Sequence, residues 1–148
     1  MSNEAPIVSA FTPAPHIDQY SQPFWDGLAN RRILLQSCGA CGRRRFPRLP
    51  SCPYCATPGG DDIEISGAGT VYSFVRAHRA LTGASQSLVP YSVATIDLDG
   101  GARLLGRVVP PDRCAIGVRV TADFVDHPAS ESSDGWTELY FRIVGDQT

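Results

Sequence analysis

The sequence predicts a mainly β protein with one short N-terminal helix, and three observations lead to that fold class. Two C-x-x-C pairs lie close together between Cys38 and Cys55. A short amphipathic segment precedes them, and several segments in which apolar and polar residues alternate follow them. We therefore expect a small metal-binding lobe followed by a β-barrel, within a chain of 148 residues that is long enough for one such unit.

The segment "SQPFWDGLANRR" predicts the helix. Ser21 is a candidate N-cap, Pro23 falls in the first turn, and Phe24, Trp25 and Leu28 have the spacing of one apolar face. A helix this short is marginal in isolation. We expect it to expose Phe24 and Trp25 as a docking element.

The metal lobe is predicted from the pattern C-x2-C-x10-C-x2-C, formed by Cys38, Cys41, Cys52 and Cys55. Each pair places two thiolates on one tight turn, and a hairpin between the pairs brings four sulfur atoms around one tetrahedral ion. Such ligands select Zn2+, or Fe in a rubredoxin-like setting. A redox dithiol or unrelated buried thiols are the alternatives. Four thiolates leave no open coordination position, so we expect a structural ion in a rubredoxin-like zinc ribbon.

Five segments after residue 66 have the composition and alternation of β-strands. They are "TVYSFVRAH", "YSVATIDLD", "ARLLGRVV", "VRVTADFVD" and "WTELYFRI". Asp99-Gly100-Gly101 predicts a tight turn between the second and third of them. Five short strands suit a closed barrel of the OB type better than a sandwich, which needs seven or more.

The chain thus divides into three predicted parts. Residues 1–20, rich in Pro and Ala, are expected to form a flexible arm. Residues 21–60 are expected to hold the helix and the zinc ribbon, and residues 61–148 the OB-fold barrel.

Composition limits the function classes. No apolar run is long enough to cross a membrane, and the N-terminus does not resemble a secretory signal, so we expect a cytoplasmic protein with no membrane partner. Thiols there are normally reduced, which favours metal over disulfides. All thirteen basic residues are Arg, yet the net charge is −2. Arg43, Arg44, Arg45 and Arg48 are either a solvated face or a clamp for phosphates.

A catalytic set is not recognisable in the sequence. No phosphate-binding loop, nucleophile elbow or metalloprotease motif is present, and His16, His78 and His127 lie in different segments. Cys114 is expected to be buried as a small apolar residue. Arg76, His78 and Arg79 end the first barrel strand, where they are either candidates for binding an anionic ligand or a solvated strand end.

These segments, in this order, resemble the zinc-ribbon OB-fold proteins of the domain of unknown function 35 (DUF35) family. The resemblance covers about residues 20–144 and rests on "PFWDGL", "LLQSCGACGRRRFPR", "CPYC", "GAGTVYSFVRAHRA", "VPYSVATIDLDGGARLLGRV", "IGVRVTADF" and "YFRIV". Ala56 replaces the usual Gly after the last cysteine, and the loop "DHPASESSDGW" is longer than expected.

The resemblance implies a small subunit beside a thiolase-like protein in acyl-CoA chemistry, such as thiolysis, acyl transfer or retro-aldol removal of steroid side chains. The larger partner would carry the catalytic residues. The small subunit would help form the acyl-CoA channel and stabilise the assembly, with structural Zn2+ and with a CoA thioester as the ligand of the complex. Arg76, His78 and Arg79 are then the first candidates for CoA contacts.

Two rival classes remain open at this point. Zinc ribbons and OB-folds also occur in modules that bind single-stranded nucleic acid, although the negative net charge and the absence of Lys argue against that class. A stand-alone redox or hydrolytic enzyme would turn over substrate without any added subunit.

Overall fold

The computed structural model describes residues 13–81, 86–131 and 133–145. Within this part of the chain the elements are α1 (Gln22–Ala29), β1 (Ile33–Ser37), β2 (Arg44–Arg45), β3 (Asp61–Ile65), β4 (Ala68–Ala77), β5 (Tyr91–Leu98), β6 (Arg103–Val109), β7 (Arg119–His127) and β8 (Trp136–Ile143). A short 3-10 turn, Pro111–Arg113, follows β6. Most of the arm predicted for residues 1–20 lies outside the described residues.

The first sheet has three strands in the order β2-β1-β3. β3 is antiparallel to β1, with Ile33 opposite Ile65 and Leu35 opposite Ile63. This strand was not among the predicted ones. The division of the chain at residue 60 stays a prediction, and the strand just beyond it belongs by its pairing to the sheet of the cysteine lobe.

The second sheet is a closed barrel in the order β4-β5-β6-β8-β7. All five strands coincide with the predicted segments, which confirms the mainly β fold with an OB barrel. The turn between β5 and β6 is also confirmed, since Gly101 has a φ of +103° and donates to the carbonyl of Leu98. Closure is made by a short parallel contact between β6 and β8, in which Val108 pairs with Phe141 and Val109 with Arg142.

Helix α1 packs against β1 and β8. Phe24 and Leu28 are buried there, and Trp25 is partly buried. The expectation that Phe24 is exposed is therefore wrong, because the side chain enters the apolar cluster shared by the lobe and the barrel.

The residue before the helix is Ser21, as predicted, but its side chain does not cap the helix. Its Oγ accepts a hydrogen bond from the amide of Asp18 instead, and Asp18 Oδ1 accepts one from the amide of Ser21. These two contacts form a closed turn that leads the chain into α1.

The barrel core contains Val71, Ile96, Val108, Val120 and Phe141, all at most 1% exposed. Cys114 is buried beside this core, as the sequence predicts, and burial raises the pKa of its thiol. In the described part of the chain, no helix is long and apolar enough to span a membrane.

Candidate metal centre and adjacent groove

The four predicted ligands converge on one point. The sulfur atoms of Cys38, Cys41, Cys52 and Cys55 all lie within 4.8 Å of one another. Cys38 Sγ is 3.6 Å from Cys55 Sγ, and Cys41 Sγ is 3.7 Å from Cys52 Sγ. A Zn–S bond of about 2.3 Å in a tetrahedron requires sulfurs about 3.8 Å apart, so these residues fit a zinc ion.

The two cysteine turns have the same backbone geometry. In each, the residue after the second cysteine donates its amide to the carbonyl of the first, from Gly42 to Cys38 and from Ala56 to Cys52, both at 2.9 Å. Both donors have a left-handed backbone, with φ of 75° at Gly42 and 66° at Ala56. Ala56 therefore occupies a conformation that glycine adopts without strain.

Local hydrogen bonds lower the pKa of two of the four thiols, whereas burial and the neighbouring thiols raise the pKa of Cys41 to about 11. The amides of Cys41 and Ala40 lower the pKa of Cys38 to about 6. The hydroxyl of Thr57 lies 3.2 Å from Cys55 Sγ and lowers the pKa of that thiol. Because a metal binds the deprotonated form, Cys38 and Cys55 are the two thiols of this lobe that are best prepared for ligation.

Two arginines of the lobe are committed to structural contacts. Arg45 is buried, and it donates from Nε to Gln36 Oε1 at 2.7 Å and from Nη2 to the carbonyl of Gly59 at 2.6 Å. Arg44 donates to the carbonyl of Gly100 in the β5–β6 turn, which joins the lobe to the barrel.

The other two arginines of this group differ from each other. Arg48 forms a forked pair with Asp62, at 2.9 and 3.2 Å, and also donates to the carbonyl of Tyr20. Arg43 stacks over the exposed ring of Tyr54 at 4.5 Å. Three of the four guanidinium groups thus donate hydrogen bonds within the chain and the fourth stacks on a ring, which argues against the clamp for phosphates.

A groove of about 390 Å³ lies where the helix, the lobe and the barrel meet. Most of its lining is apolar: Phe24, Trp25, Leu28, Phe46, Val93, Leu104, Leu105, Trp136 and Leu139. Its volume lies within the range of small-molecule sites, which often form where domains meet. The sequence patterns did not reveal this groove, because its walls come from five segments that are distant in the sequence.

One wall of the groove is a row of aromatic rings. Phe46 of the lobe lies 4.8 Å from Phe24, Phe24 lies 5.3 Å from Trp25, and Trp25 lies 6.0 Å from Trp136. Trp136 in turn stacks on His127, with centroids 4.3 Å apart and planes inclined by 13°. The row connects the metal lobe to β7 and β8.

A partly buried ion cluster lies at the end of this row. Arg107 holds Glu138 with two hydrogen bonds of 2.7 and 2.6 Å, and His127 Nε2 lies 2.7 Å from Glu138 Oε1. Because an ionised carboxylate only accepts, His127 donates from Nε2. His127 Nδ1 is buried without a hydrogen-bond partner among the described residues.

The three candidate CoA contacts are not equivalent. Arg76 donates from Nε to the carbonyl of Pro111 at 3.0 Å and from Nη2 to that of Cys114 at 3.1 Å, and so anchors the 3-10 turn. His78 and Arg79 are exposed just beyond the end of β4. A ligand role for the three stays a prediction.

A four-cysteine ribbon joined to a five-stranded OB barrel defines the class of zinc-ribbon OB-fold proteins. The chain is 32% identical over 123 residues to a DUF35 domain-containing scaffold protein of Methanothermobacter thermautotrophicus, covering 80% of this chain and 91% of that protein. It belongs to the DUF35 family. Residues 25–59 match the family description "ChsH2, rubredoxin-like zinc ribbon domain", and residues 62–125 match "ChsH2, C-terminal OB-fold domain".

Two further likenesses concern proteins with named activities. A probable enoyl-CoA hydratase alpha subunit of Thermomonospora curvata is 34% identical over 119 residues, which cover 79% of this chain and 37% of that protein. The chain thus spans little more than a third of this relative. The solved "Ltp2-ChsH2(DUF35) aldolase" contains a chain that is 32% identical with a TM-score of 0.74, covering 89% of this chain and 100% of that chain.

Proposed function

We propose that this protein is an auxiliary, non-catalytic subunit of an acyl-CoA-processing complex, bound to a thiolase-like partner that carries the catalytic residues. The observation that carries the proposal is the likeness to the DUF35 chain of an aldolase, whose whole length is covered at a TM-score of 0.74. The relative named as a probable enoyl-CoA hydratase alpha subunit supports a role in acyl-CoA chemistry. The partner, the acyl-CoA ligand and a cytoplasmic location all belong to this proposal.

The metal centre is consistent with a supporting role. Four thiolates would fill the coordination of a zinc ion and leave no position for a substrate or a water molecule. The ion would therefore hold the lobe in shape, and the lobe contributes Phe46 to the groove.

Charge pairing weighs against the nucleic-acid class. Seven of the thirteen arginines form ion pairs with Asp or Glu within the described residues, namely Arg31, Arg32, Arg48, Arg103, Arg107, Arg119 and Arg142. Binding to nucleic acid relies on basic side chains that are available to phosphates. A surface whose cations are largely neutralised in this way suits a protein partner better.

The proposal also includes a contact with the ligand. His78 and Arg79, which follow the end of β4, would contact the phosphates of CoA. Both are exposed, and a guanidinium group suits phosphate geometry. Arg76 would act beside them by fixing the carbonyls of Pro111 and Cys114.

Co-production with a thiolase-like protein of the same genome tests the central claim. A stable complex in size-exclusion chromatography, with acyl-CoA turnover that the partner alone lacks, is the expected result. Separate elution at micromolar concentration would refute it. In the complex, Arg79→Ala should weaken CoA binding about tenfold while Arg113→Ala, an exposed arginine of the 3-10 turn, should not.

A further inference from the structure

We propose that the partner subunit docks on the outer side of strands β4, β5 and β6 through a surface we call the outer apolar face, formed by Val75, Tyr91, Val93 and Leu105. This inference rests on the proposed function, and it names the surface with which this subunit would bind its partner. Nothing in the sequence patterns singled out these residues, because each lies on a strand whose opposite side forms the barrel core.

Strand register places these side chains together. Val75 on β4 pairs directly with Val93 on β5. On the next strand Leu105 pairs with Thr95, so Leu105 and Val93 are diagonal neighbours on the same side of the sheet. The alternate residues Ala94 and Ile96 point into the core and are fully buried.

Two of the four residues of the outer apolar face are exposed to solvent, and Tyr91 and Val93 are half-buried. Val75 is 66% exposed and Leu105 is 68% exposed. Exposed apolar surface of this kind, rimmed by polar residues, marks interaction sites.

The face continues into the groove. Tyr91, Val93 and Leu105 line the groove mouth, opposite Trp25 and Trp136. A partner covering the face would therefore reach the two partly buried tryptophans as well. Aromatic side chains in a depression beside a flat apolar surface are typical anchors of protein interfaces.

The two charges of β6 that border the face, Arg103 and Arg107, are already paired within the chain, and this favours a partner surface that is apolar. At one border Arg103 forms an ion pair with Asp97 and lies 3.7 Å from the ring centre of Tyr72. At the other border Arg107 is held by Glu138. The complementary surface is then apolar and uncharged, and association should depend little on salt.

The test uses the full chain and the thiolase-like protein of the same genome, with affinity measured by calorimetry. Leu105→Arg and Val75→Arg should each weaken binding at least about tenfold, because they place an unpaired charge in an apolar contact. The matched control is Ile116→Arg, since Ile116 is 70% exposed but lies in the loop before β7. It should leave the affinity within about twofold. Unchanged melting temperature and metal content show that the variants are folded.

Each other outcome overturns the proposal in a distinct way. If both face variants bind as the wild type does, another surface docks the partner, while the proposed function stands. If the wild-type chain does not bind at micromolar concentration, the proposed function fails as well. Self-association that Leu105→Arg abolishes would assign the face to a second copy of this chain. A loss of affinity greater than about tenfold between 0.1 M and 1 M NaCl would show that charges, and not apolar contacts, hold the complex.

Discussion

The ring of Phe46 lies against the ring of Phe24, with centroids 4.8 Å apart and planes inclined by 54°. Phe46 follows β2 in the loop between the two cysteine pairs, and Phe24 belongs to α1. This contact joins the metal-binding lobe to the helix. Through Trp25 and Trp136, which are the two tryptophans of the sequence, it continues to the barrel.

Loss of the metal should disorder the lobe and change the tryptophan environment. Cys41→Ser removes one of the four ligands, and in a lobe this small metal binding supplies much of the free energy of folding. We expect the variant to lose its ion, to melt at a lower temperature and to show red-shifted tryptophan emission. Elemental analysis measures the metal content, and tryptophan fluorescence measures both the emission maximum and the melting temperature. A metal-free variant with unchanged melting and emission would contradict a structural role, and the same analysis of the wild type distinguishes zinc from iron.

Phe46→Ala should uncouple the lobe from the helix. The ring is 36% exposed, so its truncation should lower the free energy of unfolding by about 2 kcal/mol, less than for a fully buried ring. Chelation of the metal should then shift tryptophan emission less than in the wild type.

The matched control is Tyr54→Ala, in the same lobe. Tyr54 is 60% exposed and stacks with Arg43, so we expect a change of at most about 0.5 kcal/mol and a normal response to chelation. Equal responses in both variants would show that Phe46 does not transmit the state of the metal.

Ala56→Gly should stabilise the protein. A left-handed backbone costs an alanine about 1 kcal/mol relative to glycine, part of which is offset by the greater freedom of glycine in the unfolded chain. We expect a gain of about 0.5 kcal/mol in chemical unfolding. The reciprocal variant Gly42→Ala should lose about 0.5 kcal/mol for the same reason. No atom lies within 4 Å of a Cβ added at Gly42, so its cost would come from the backbone alone. A loss of stability in Ala56→Gly would contradict this account.

Asp126 should make stability depend on pH in acid. The forked bond from Arg31, with a further bond from the hydroxyl of Thr137, lowers the pKa of Asp126 to about 2 from its usual 3.8. A lowered pKa in the folded state contributes stability that is present above 3.8 and is lost as the pH falls toward 2. The difference in free energy of unfolding between the wild type and Asp126→Asn should therefore shrink over that interval. A difference that stays constant from about pH 6 to about pH 2 would show that the ion pair contributes nothing to stability.

Arg45→Ala should affect stability rather than ligand binding. The side chain is 5% exposed and holds Gln36 and the carbonyl of Gly59. The variant leaves the carbonyl of Gly59 without this donor, whereas Gln36 Oε1 keeps its bond from the amide of Leu49, and we expect a cost of about 2 kcal/mol in urea unfolding. Arg43→Ala, which removes only a stack on an exposed ring, should cost at most about 1 kcal/mol. If Arg45→Ala unfolds like the wild type but weakens CoA binding in the complex, Arg45 would instead belong to a clamp for phosphates.

The sequence patterns predicted the five barrel strands and the cysteine ligands because both signals are local. Period-two alternation is visible within one segment, and the C-x-x-C turns determine where two sulfurs lie. The alternation of Ile63 and Ile65 with charged residues was also present in β3, but three acidic residues in five made that segment resemble a solvated patch.

The burial of Phe24, Arg45 and Tyr140 could not be predicted in the same way. Each depends on a contact with a residue far away in the sequence, or on the space left by a residue without a side chain. A Cβ at Gly60 would lie 2.9 Å from Arg45 Nη2, so the buried guanidinium needs a glycine there. Tyr140 lies on the outward side of β8 and is nevertheless 1% exposed.

What Tyr140 contacts explains this burial. Its hydroxyl contacts Asp123, and Arg142 donates to it while also pairing with Asp123. Such a polar layer is not visible in the alternation of a single strand.

The short parallel contact between β6 and β8 has a consequence for biosynthesis. Helix α1, which packs on β8, leaves the ribosome long before the strand it covers. During translation the helix can pack on β1 soon after both are made, but the side that packs on β8 stays exposed until that strand is made. A nascent chain halted before Trp136 would present both an unsealed barrel and a half-covered helix, two features that chaperones and proteases recognise.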